Sequence, residues 1–312
     1  MSRLFGHLST EFLESRLLNT WHHMNVTRRM VPILFGTLTV GFCALYAPIG
    51  ADLWRAWLRD GNYSHGPLIV LAMGYVVWTR RRRLADRPVA PATAGLLLVV
   101  ISLALMLVGT AGVELFTMRV SAVGVIAGAI VYLAGWGWLR ELAFPLALTA
   151  LIIPIPPVIF YQLAFPLQLL ATRLGVFVLQ LVDVPVLREG NVIRLPHTAL
   201  EVTEACSGLR SLVSLLSLAV LYGYFRCRNA VAHVAVALSA IPIAIVANGG
   251  RIAGTGIAAH FFGPSAATGF FHAFSGWVVF AASALMLFGA ARAIVAAGRV
   301  VPGIRGPQAV SS

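Results

Sequence analysis

The chain has 312 residues, of which 59% are hydrophobic and only 11% are charged. A soluble domain carries roughly 25% charged residues, so this composition excludes an ordinary water-soluble enzyme and indicates a protein dissolved in lipid. The net charge of +12 reflects 23 basic residues, all of them arginine, against 11 acidic ones. The arginines flank apolar runs and form no aromatic-interleaved patch, which argues against nucleic-acid binding and favours a role in setting membrane topology.

The apolar runs predict an all-α polytopic membrane protein with about eight transmembrane helices, because about 18 apolar residues suffice to cross a bilayer as a helix. We expect one membrane domain over residues 31–295, between a cytoplasmic tail at 1–30 and a second tail at 296–312, with no cleavable signal. The predicted spans cover residues 31–49, 66–79, 93–113, 119–138, 142–160, 209–225, 230–248 and 273–292.

One long segment, roughly residues 161–208, separates the fifth and sixth predicted spans. Its first part, 163–182, could be a ninth span, but Gln168, Arg173 and Gln180 interrupt the apolar run, so we predict a helix lying in the membrane interface. The second part alternates apolar and polar residues around a Glu-Gly-Asn sequence at 189–191. This pattern predicts a β-hairpin.

The distribution of the arginines predicts the orientation. With the N-terminus in the cytoplasm and eight spans, fifteen of the 23 arginines lie inside and eight outside. A ninth span at 163–182 would place Arg226, Arg228 and the C-terminal arginines outside, against the positive-inside rule. We therefore predict two cytoplasmic termini.

In this topology, four polar segments gather near the outer interface: residues 57–66, 201–212, 248–251 and 270–277. Ionisable residues that converge at membrane depth indicate a functional site. Cys206 is the candidate nucleophile, because the following Ser207 and Gly208 suit a helix N-terminus, where backbone N–H groups and the helix dipole favour a thiolate. Arg210 lies one turn further on, and Glu204 lies just before the cysteine.

Arg251 and His272 extend the candidate site to two further helix ends. Taken singly, the arginine could reach lipid headgroups and the histidine could be an ordinary hydrogen-bonding residue. Together with Cys206 they supply a nucleophile, a stabiliser of developing charge and a base. Asn248 lies three residues before Arg251, on the same helical face, and the two glycines between them predict close approach of another group.

The remaining reactive residues carry weaker signals. We predict no functional role for Cys43 and Cys227, and three cysteines make no disulfide framework. The histidines show no metal-ligand spacing, so we predict no metal and no cofactor. Tyr63 and His65 in "NYSHG" either line the site or belong to a turn that caps the second span.

The segments "NYSHG", "EACSGLRSL", "NGGR" and "FFHAFSGW", in this order, resemble the exosortases, over about residues 30–295. The resemblance implies a membrane-embedded cysteine protease or transpeptidase with Cys206 as nucleophile, Arg251 as essential arginine and His272 as acid/base. It also implies substrate proteins with a PEP-CTERM sorting tail, which are cut at the outer face of the bacterial inner membrane and passed to an acceptor nucleophile.

Two other classes of function stay open at the level of sequence. A transporter or flippase would place polar residues and broken helices at the bilayer midplane, and its only hint here is the proline-rich stretch 154–157 at the outer end of the fifth span. A non-catalytic subunit of an exopolysaccharide export system would not need the Cys, Arg and His residues. The sequence also leaves open whether His272 or His260 is the base.

Overall fold

The computed structural model describes residues 36–37, 39–196, 198–202, 208–227, 229–263 and 269–300, and for 269–275 and 298–300 the backbone alone. The chain divides into two compact units, Met1–Asp52 and Leu53–Ser312. In the first unit, residues 36–37 and 39–52 are helical, and Phe42 stacks on Tyr46 with ring centroids 4.8 Å apart. This helix overlaps the first predicted span, of which residues 31–35 and 38 lie outside the described part.

The second unit is a helical assembly with one small sheet, which confirms the predicted all-α polytopic fold class. It begins with helical residues 53–59 (α1) and a 3₁₀ turn at Gly61–Tyr63. The helices that follow are α2 (Gly66–Ala85), α3 (Ala94–Ala111), α4 (Leu115–Leu133), α5 (Trp136–Leu148), α6 (Pro157–Leu181), α7 (Leu209–Arg226), α8 (Ala230–Phe262) and α9 (Gly269–Val300).

Within the described residues, five helices are long and apolar enough to cross a membrane, namely α3, α4, α6, α8 and the Gly276–Ala297 part of α9. α7 matches the predicted span 209–225 closely. By contrast, α2 ends in a run of four arginines and α5 has only 13 residues. The number of eight spans therefore stays a prediction.

The fourth helix begins earlier than the predicted span 119–138, because a side chain caps it. The Glu114 carboxylate accepts hydrogen bonds from the backbone N–H groups of Phe116 and Thr117, at 2.9 and 2.6 Å. An acidic N-cap satisfies donors that have no partner within the helix and complements its dipole. At the other end α4 stops at Leu133, two residues before Gly135, which adopts a φ of +94°.

The predicted fifth span, 142–160, is wrong in its extent. α5 ends at Leu148, a 3₁₀ turn covers Thr149–Leu151, and a new helix begins at Pro157. The prolines at 154, 156 and 157 explain this break, since proline has no N–H group and disfavours helical backbone in the residue before it. Pro157 itself starts α6, a position where the missing N–H costs nothing.

The predicted seventh span, 230–248, is also too short, because α8 continues to Phe262. The extension stays helical because Ile252 and Ala259 belong to a buried cluster shared with α6 and the sheet. Packing of one face stabilises a helix more than local propensity does, and it outweighs the two glycines at 249 and 250. The eighth predicted span, 273–292, likewise lies inside the longer α9.

The predicted hairpin is confirmed and gains a third strand. Strands β1 (Leu187–Glu189), β2 (Val192–Leu195) and β3 (Thr198–Glu201) form an antiparallel sheet in the order β1-β2-β3. Gly190, with a φ of +65°, and Asn191 form the two-residue loop of the hairpin. The buried side chains of Ile193 and Leu195 fix the sheet against α6 and α8.

α6 passes the start of α7 and then runs along the last part of α8. Near its start, Phe160 and Ala164 pack against Leu209, the first residue of α7. Near its end, Leu179 lies against Gly256, which is eight residues beyond Asn248 along α8. α6 therefore does not follow α7 across the bundle, although its 25 residues would suffice to span a membrane. These contacts favour the interfacial helix, which stays a prediction.

Candidate functional site

The first turn of α7 is fixed to α8 through Gly208. This residue is the N-cap of α7 and has a left-handed φ of +80°. A Cβ atom placed on it would lie 2.9 Å from Nδ2 of Asn248, so both the backbone conformation and the available space require glycine. The start of α7 directly after Gly208 confirms the predicted helix start. We call Gly208 and the first turn of α7 the α7 mouth, and this mouth contacts Asn248 of the "NGGR" segment.

The chain that leads toward Cys206 is fixed at its other end by the sheet. Val202, directly after β3, is 3% exposed, and its N–H donates to the carbonyl oxygen of Asn191 at 2.9 Å. The Asn191 side-chain amide donates to the Val202 carbonyl at 3.2 Å. Five residues, 203–207, join this anchor to Gly208; they include Cys206 and Glu204 and lie outside the described residues.

Arg251 reaches from α8 to α9. Its half-buried side chain places the guanidinium next to Gly276, where an added Cβ would lie 3.8 Å from Nη2. His272 lies four residues before Gly276 on α9, which is about one helical turn; its side chain lies outside the described part. Asn248, one turn before Arg251 on α8, is 3% exposed, so the contact with the α7 mouth and the contact with α9 belong to neighbouring turns of one helix.

The geometry of α8 separates His260 from Arg251. Nine residues in an α-helix correspond to about 13.5 Å of rise and to opposite faces, and both residues belong to the same uninterrupted helix. His260 therefore cannot act on a group that Arg251 contacts. The assignment of His272 as the base stays a prediction.

The two glycines next to Arg251 differ in their surroundings. A Cβ on Gly249 would lie 2.7 Å from Cβ of Leu174, so α6 does approach closely there, as predicted. Gly250 has open space around it. The prediction of close approach thus holds for one glycine of the pair.

The "NYSHG" region and the preceding Trp57 satisfy backbone groups in the break between α5 and α6. The indole N–H of Trp57 donates to the Ile152 carbonyl at 2.8 Å, and Nε2 of His65 lies 3.1 Å from the Leu151 carbonyl. The Tyr63 hydroxyl accepts the N–H of Ile155 at 3.1 Å. A break in a membrane helix leaves backbone groups that must find partners, and these three side chains supply them.

Burial shifts the titration of two of these groups. Burial lowers the pKa of His65, against the smaller opposing effect of its bond to the Leu151 carbonyl. His65 is therefore neutral at pH 7. Burial also raises the pKa of Tyr63, the charge of Asp60 adds to this, and the bond from Ile155 opposes it.

Arg210 connects the α7 mouth to the same region. Its guanidinium lies against Gly61, where an added Cβ would be 2.6 Å from Cζ, and its Nε is 3.5 Å from Oδ1 of Asn62. Ser214, one turn further along α7, lies 3.5 Å from Nδ1 of His65. The predicted supporting residues Tyr63, His65 and Arg210 therefore form one connected group beside the start of α7.

A cavity of about 470 Å³ opens next to this group. Its walls combine aromatic rings, prolines and three charged side chains, and the arginine among them, Arg119, is 7% exposed. Burial would raise the pKa of Glu114, but the bonds from Thr117 and Phe116 and the charge of Arg119 together lower it. The lining residues include Asp60, Asn62, Tyr63, Glu114, Phe116, Arg119, Pro154, Pro156, Phe160 and Tyr161.

A family model described as "Transmembrane exosortase (Exosortase_EpsH)" matches residues 57–289. The chain belongs to this family. No curated protein and no solved structure matches the chain.

The exosortase match contains all four polar segments that the sequence analysis singled out. It begins at Trp57, the residue that donates to the α5–α6 break, and ends within α9. The matched range is shorter than the expected range of about 30–295 at both ends, and it leaves out the helical residues 39–52.

Sequence reasoning missed the cavity and two of the three charged residues that line it, Glu114 and Arg119. Arg119 is one of the eight arginines that the predicted topology places outside, and a single arginine near the end of a span usually sets orientation. The acidic N-cap at Glu114 could have been found, because Asp and Glu directly before an apolar run predict a helix start. The proline stretch at 154–157 is evident in the sequence, but its position in the cavity wall depends on tertiary packing.

Proposed function

We propose that this exosortase is a cysteine protease or transpeptidase that cleaves the C-terminal PEP-CTERM sorting tail of exported proteins and transfers the product to an acceptor nucleophile. The proposed catalytic residues are Cys206, Arg251 and His272. Asn248, Glu204, Arg210, Tyr63 and His65 would support the site or position the substrate.

One observation carries the proposal: the start of α7 and the first part of α9 both contact neighbouring turns of α8. Arg251 lies within α8, and not at its end as the predicted span implied, because the helix continues to Phe262. Gly208, two residues after Cys206 in the chain, lies against Asn248 of α8. One turn further on, Arg251 lies against Gly276 of α9, one turn after His272. A nucleophile, a cation and a base need this kind of juxtaposition to act on one peptide bond.

The proposed reaction has two steps. The Cys206 thiolate attacks a peptide carbonyl of the tail, and the carbonyl oxygen becomes an oxyanion that Arg251 stabilises. His272 gives a proton to the leaving amine, so that the C–N bond breaks and a thioester remains on the sulfur. An acceptor nucleophile, or water in hydrolysis, then gives its proton to His272 and attacks the thioester, so that the C–S bond breaks and the Cys206 thiolate is restored. Arg251 could instead hold a carboxylate of the substrate.

The cavity beside the α7 mouth suits the segment of the tail that flanks the cleaved bond. Aromatic walls bind proline-rich extended peptides because the peptide conformation is preformed. Phe116, Phe160 and Tyr161 line this cavity and supply the aromatic surface for such a peptide. Arg210 and Asn62 connect the cavity to the start of α7.

We place the site at the outer face of the bacterial inner membrane, with both termini in the cytoplasm. Support comes from the opposite end of the bundle, where the Arg80 and Arg87 guanidiniums pair with Glu141 and Arg80 donates to the Tyr224 hydroxyl at 2.6 Å. About 24 Å of helix axis separate Tyr224 from Gly208. The arginine-rich end is the one that the positive-inside rule assigns to the cytoplasm.

The test uses the three cysteines as matched variants. Cys206→Ala should leave a tagged substrate at full length in the membrane, while Cys43→Ala and Cys227→Ala should process it normally. Cys43 is exposed on the helix at 39–52, and burial raises the pKa of the Cys227 thiol after α7, which makes it a poor nucleophile. Immunoblotting would follow the substrate, and the membrane level of each variant would show that it still inserts.

Normal processing by the Cys206→Ala variant would exclude the cysteine mechanism. Loss of processing in the Cys227→Ala variant alone would show that the nucleophile is Cys227, at the opposite end of α7 from Cys206, and would contradict the proposal. A transporter or a scaffold subunit would depend on none of the three thiols.

A further inference from the structure

The ends of α7 and α9 form a second cavity, far from the candidate active site. It has a volume of about 250 Å³ and is lined by Tyr222 and Arg226 of α7 and by Arg292, Val295 and Ala296 of α9. Tyr222 packs on Phe288 with ring centroids 5.5 Å apart, which holds the two helices together beside the cavity. Residues 222 and 226 are four apart, as are 292 and 296, so each pair shares one face of its helix.

The two positive charges in the lining of this cavity have no negative charge beside them in the lining. The lining contains two arginines and no carboxylate. Arg226 and Arg292 form no ion pair with any residue in the described ranges, whereas Arg80 and Arg87 at the same end of the bundle share Glu141. Two guanidiniums from separate helices offer paired donors that match the oxygens of a phosphate group.

The surface below Arg292 fits an acyl chain. Val278 and Leu285 precede Arg292 by 14 and 7 residues, so all three lie close to one line along α9. The two apolar side chains are 51% and 71% exposed. The line is about 21 Å long and leads from the interior of the apolar stretch to the arginine pair.

We propose that this cavity binds the phosphate of an anionic glycerophospholipid, with the acyl chains along the Val278–Leu285 line. Basic pockets between transmembrane helices at the cytoplasmic side are typical sites for anionic headgroups. A free phosphate ion has the same phosphate chemistry but makes no contact with the apolar line. Binding that depends on the acyl chains therefore distinguishes a phospholipid from inorganic phosphate.

The experiment measures lipid binding to the delipidated, purified full-length chain by native mass spectrometry. Dioleoyl phosphatidylglycerol should bind to the wild-type chain at one saturable site, and dioleoyl phosphatidylcholine, which is zwitterionic, should bind more weakly. Arg226→Gln with Arg292→Gln should weaken phosphatidylglycerol binding about tenfold or more. The matched control, Arg82→Gln with Arg83→Gln, removes the same charge from exposed positions at the same end and should keep the site.

A second variant separates the cavity from the charge. Ala296→Trp fills the cavity from an exposed position and keeps every arginine, so it should weaken phosphatidylglycerol binding as the double variant does. Equal weakening in the control pair would show diffuse attraction to the basic end and overturn the proposal. Arginine-dependent binding of inorganic phosphate, without preference for the lipid, would overturn the lipid assignment.

Discussion

Individual side chains hold the break between α5 and α6 in place, and this determines what single substitutions do. Tyr63 is 6% exposed and its hydroxyl accepts the N–H of Ile155. Trp57 is 8% exposed and donates to the carbonyl of Ile152. Because neither backbone group has a helical partner, removing the side-chain partner leaves a buried polar group unsatisfied.

Tyr63→Phe should therefore lower the free energy of unfolding by about 1–3 kcal/mol. Tyr75→Phe is the matched control, since Tyr75 on α2 is 54% exposed, and it should change the stability by less than about 0.5 kcal/mol. Chemical unfolding in detergent micelles would measure both. Equal stability of the two variants would mean that Ile155 does not depend on the tyrosine.

Two glycines with different surroundings, Gly208 at the start of α7 and Gly250 within α8, give a second residue-level prediction. Gly208→Ala should destabilise the chain by about 1–2 kcal/mol from the left-handed backbone alone, and contact with Asn248 should add to this. Gly250→Ala, in the open middle of a helix, should stabilise it by about 0.5–1 kcal/mol. Opposite signs in a thermal unfolding assay are expected, and a neutral Gly208→Ala would contradict the described α7 start.

At the level of elements, the membrane position of α6 determines on which side the site lies. Its first half packs near Leu209 and its second half follows α8 beyond Asn248 and carries the sheet. The sheet in turn fixes Val202, the last described residue before Cys206. An α6 that crossed the bilayer would separate the sheet from the α7 mouth by the membrane thickness.

Single cysteines on α6 should report this position. In a chain with Cys43→Ser, Cys206→Ala and Cys227→Ser, the exposed residues Gln162 and Gln180 are replaced by cysteine one at a time. A membrane-impermeant maleimide added outside should label both variants in intact spheroplasts. Arg82→Cys, at the arginine-rich end, should react only after permeabilisation. Labelling of Gln162→Cys and Gln180→Cys from opposite sides would show that α6 spans the membrane.

For the whole molecule, stability should decrease in acid. The pKa of His65 is lowered from 6.5, so the unfolded chain binds this proton more readily and stability falls as the pH drops below about 6.5. The pKa of Glu114 is lowered from 4.5, so a further part of the stability is lost as the pH drops below about 4.5. The contribution of each group is fully present above its ordinary pKa.

Unfolding midpoints in micelles between about pH 8 and pH 4 would test this dependence. His65→Gln should flatten the profile near pH 6, and Glu114→Gln should flatten only its most acidic part. If the unfolding midpoint of the His65→Gln chain changed with pH near pH 6 as steeply as that of the wild type, another group would be titrating there.

The sequence predicts the parts of the molecule that depend on local chemistry. The start of α7 follows from Gly208, and the hairpin loop follows from Gly190 and Asn191, because left-handed or tight backbone selects these residues. The length of α8 beyond Asn248 could not be predicted, since Ile252 and Ala259 become buried only when α6 and the sheet pack against them. The cavity around Arg119 likewise depends on residues from three separate parts of the chain.

The most direct test of the central claim is to trap the enzyme–substrate bond. The purified exosortase is mixed with a tailed substrate, with no acceptor added, and analysed by intact and peptide mass spectrometry. We predict a covalent adduct that is sensitive to hydroxylamine, maps to Cys206, and forms much more slowly when Arg251 is changed to Ala. Cleavage of the tail with no adduct on Cys206, or an adduct on Cys43 or Cys227, would contradict the account.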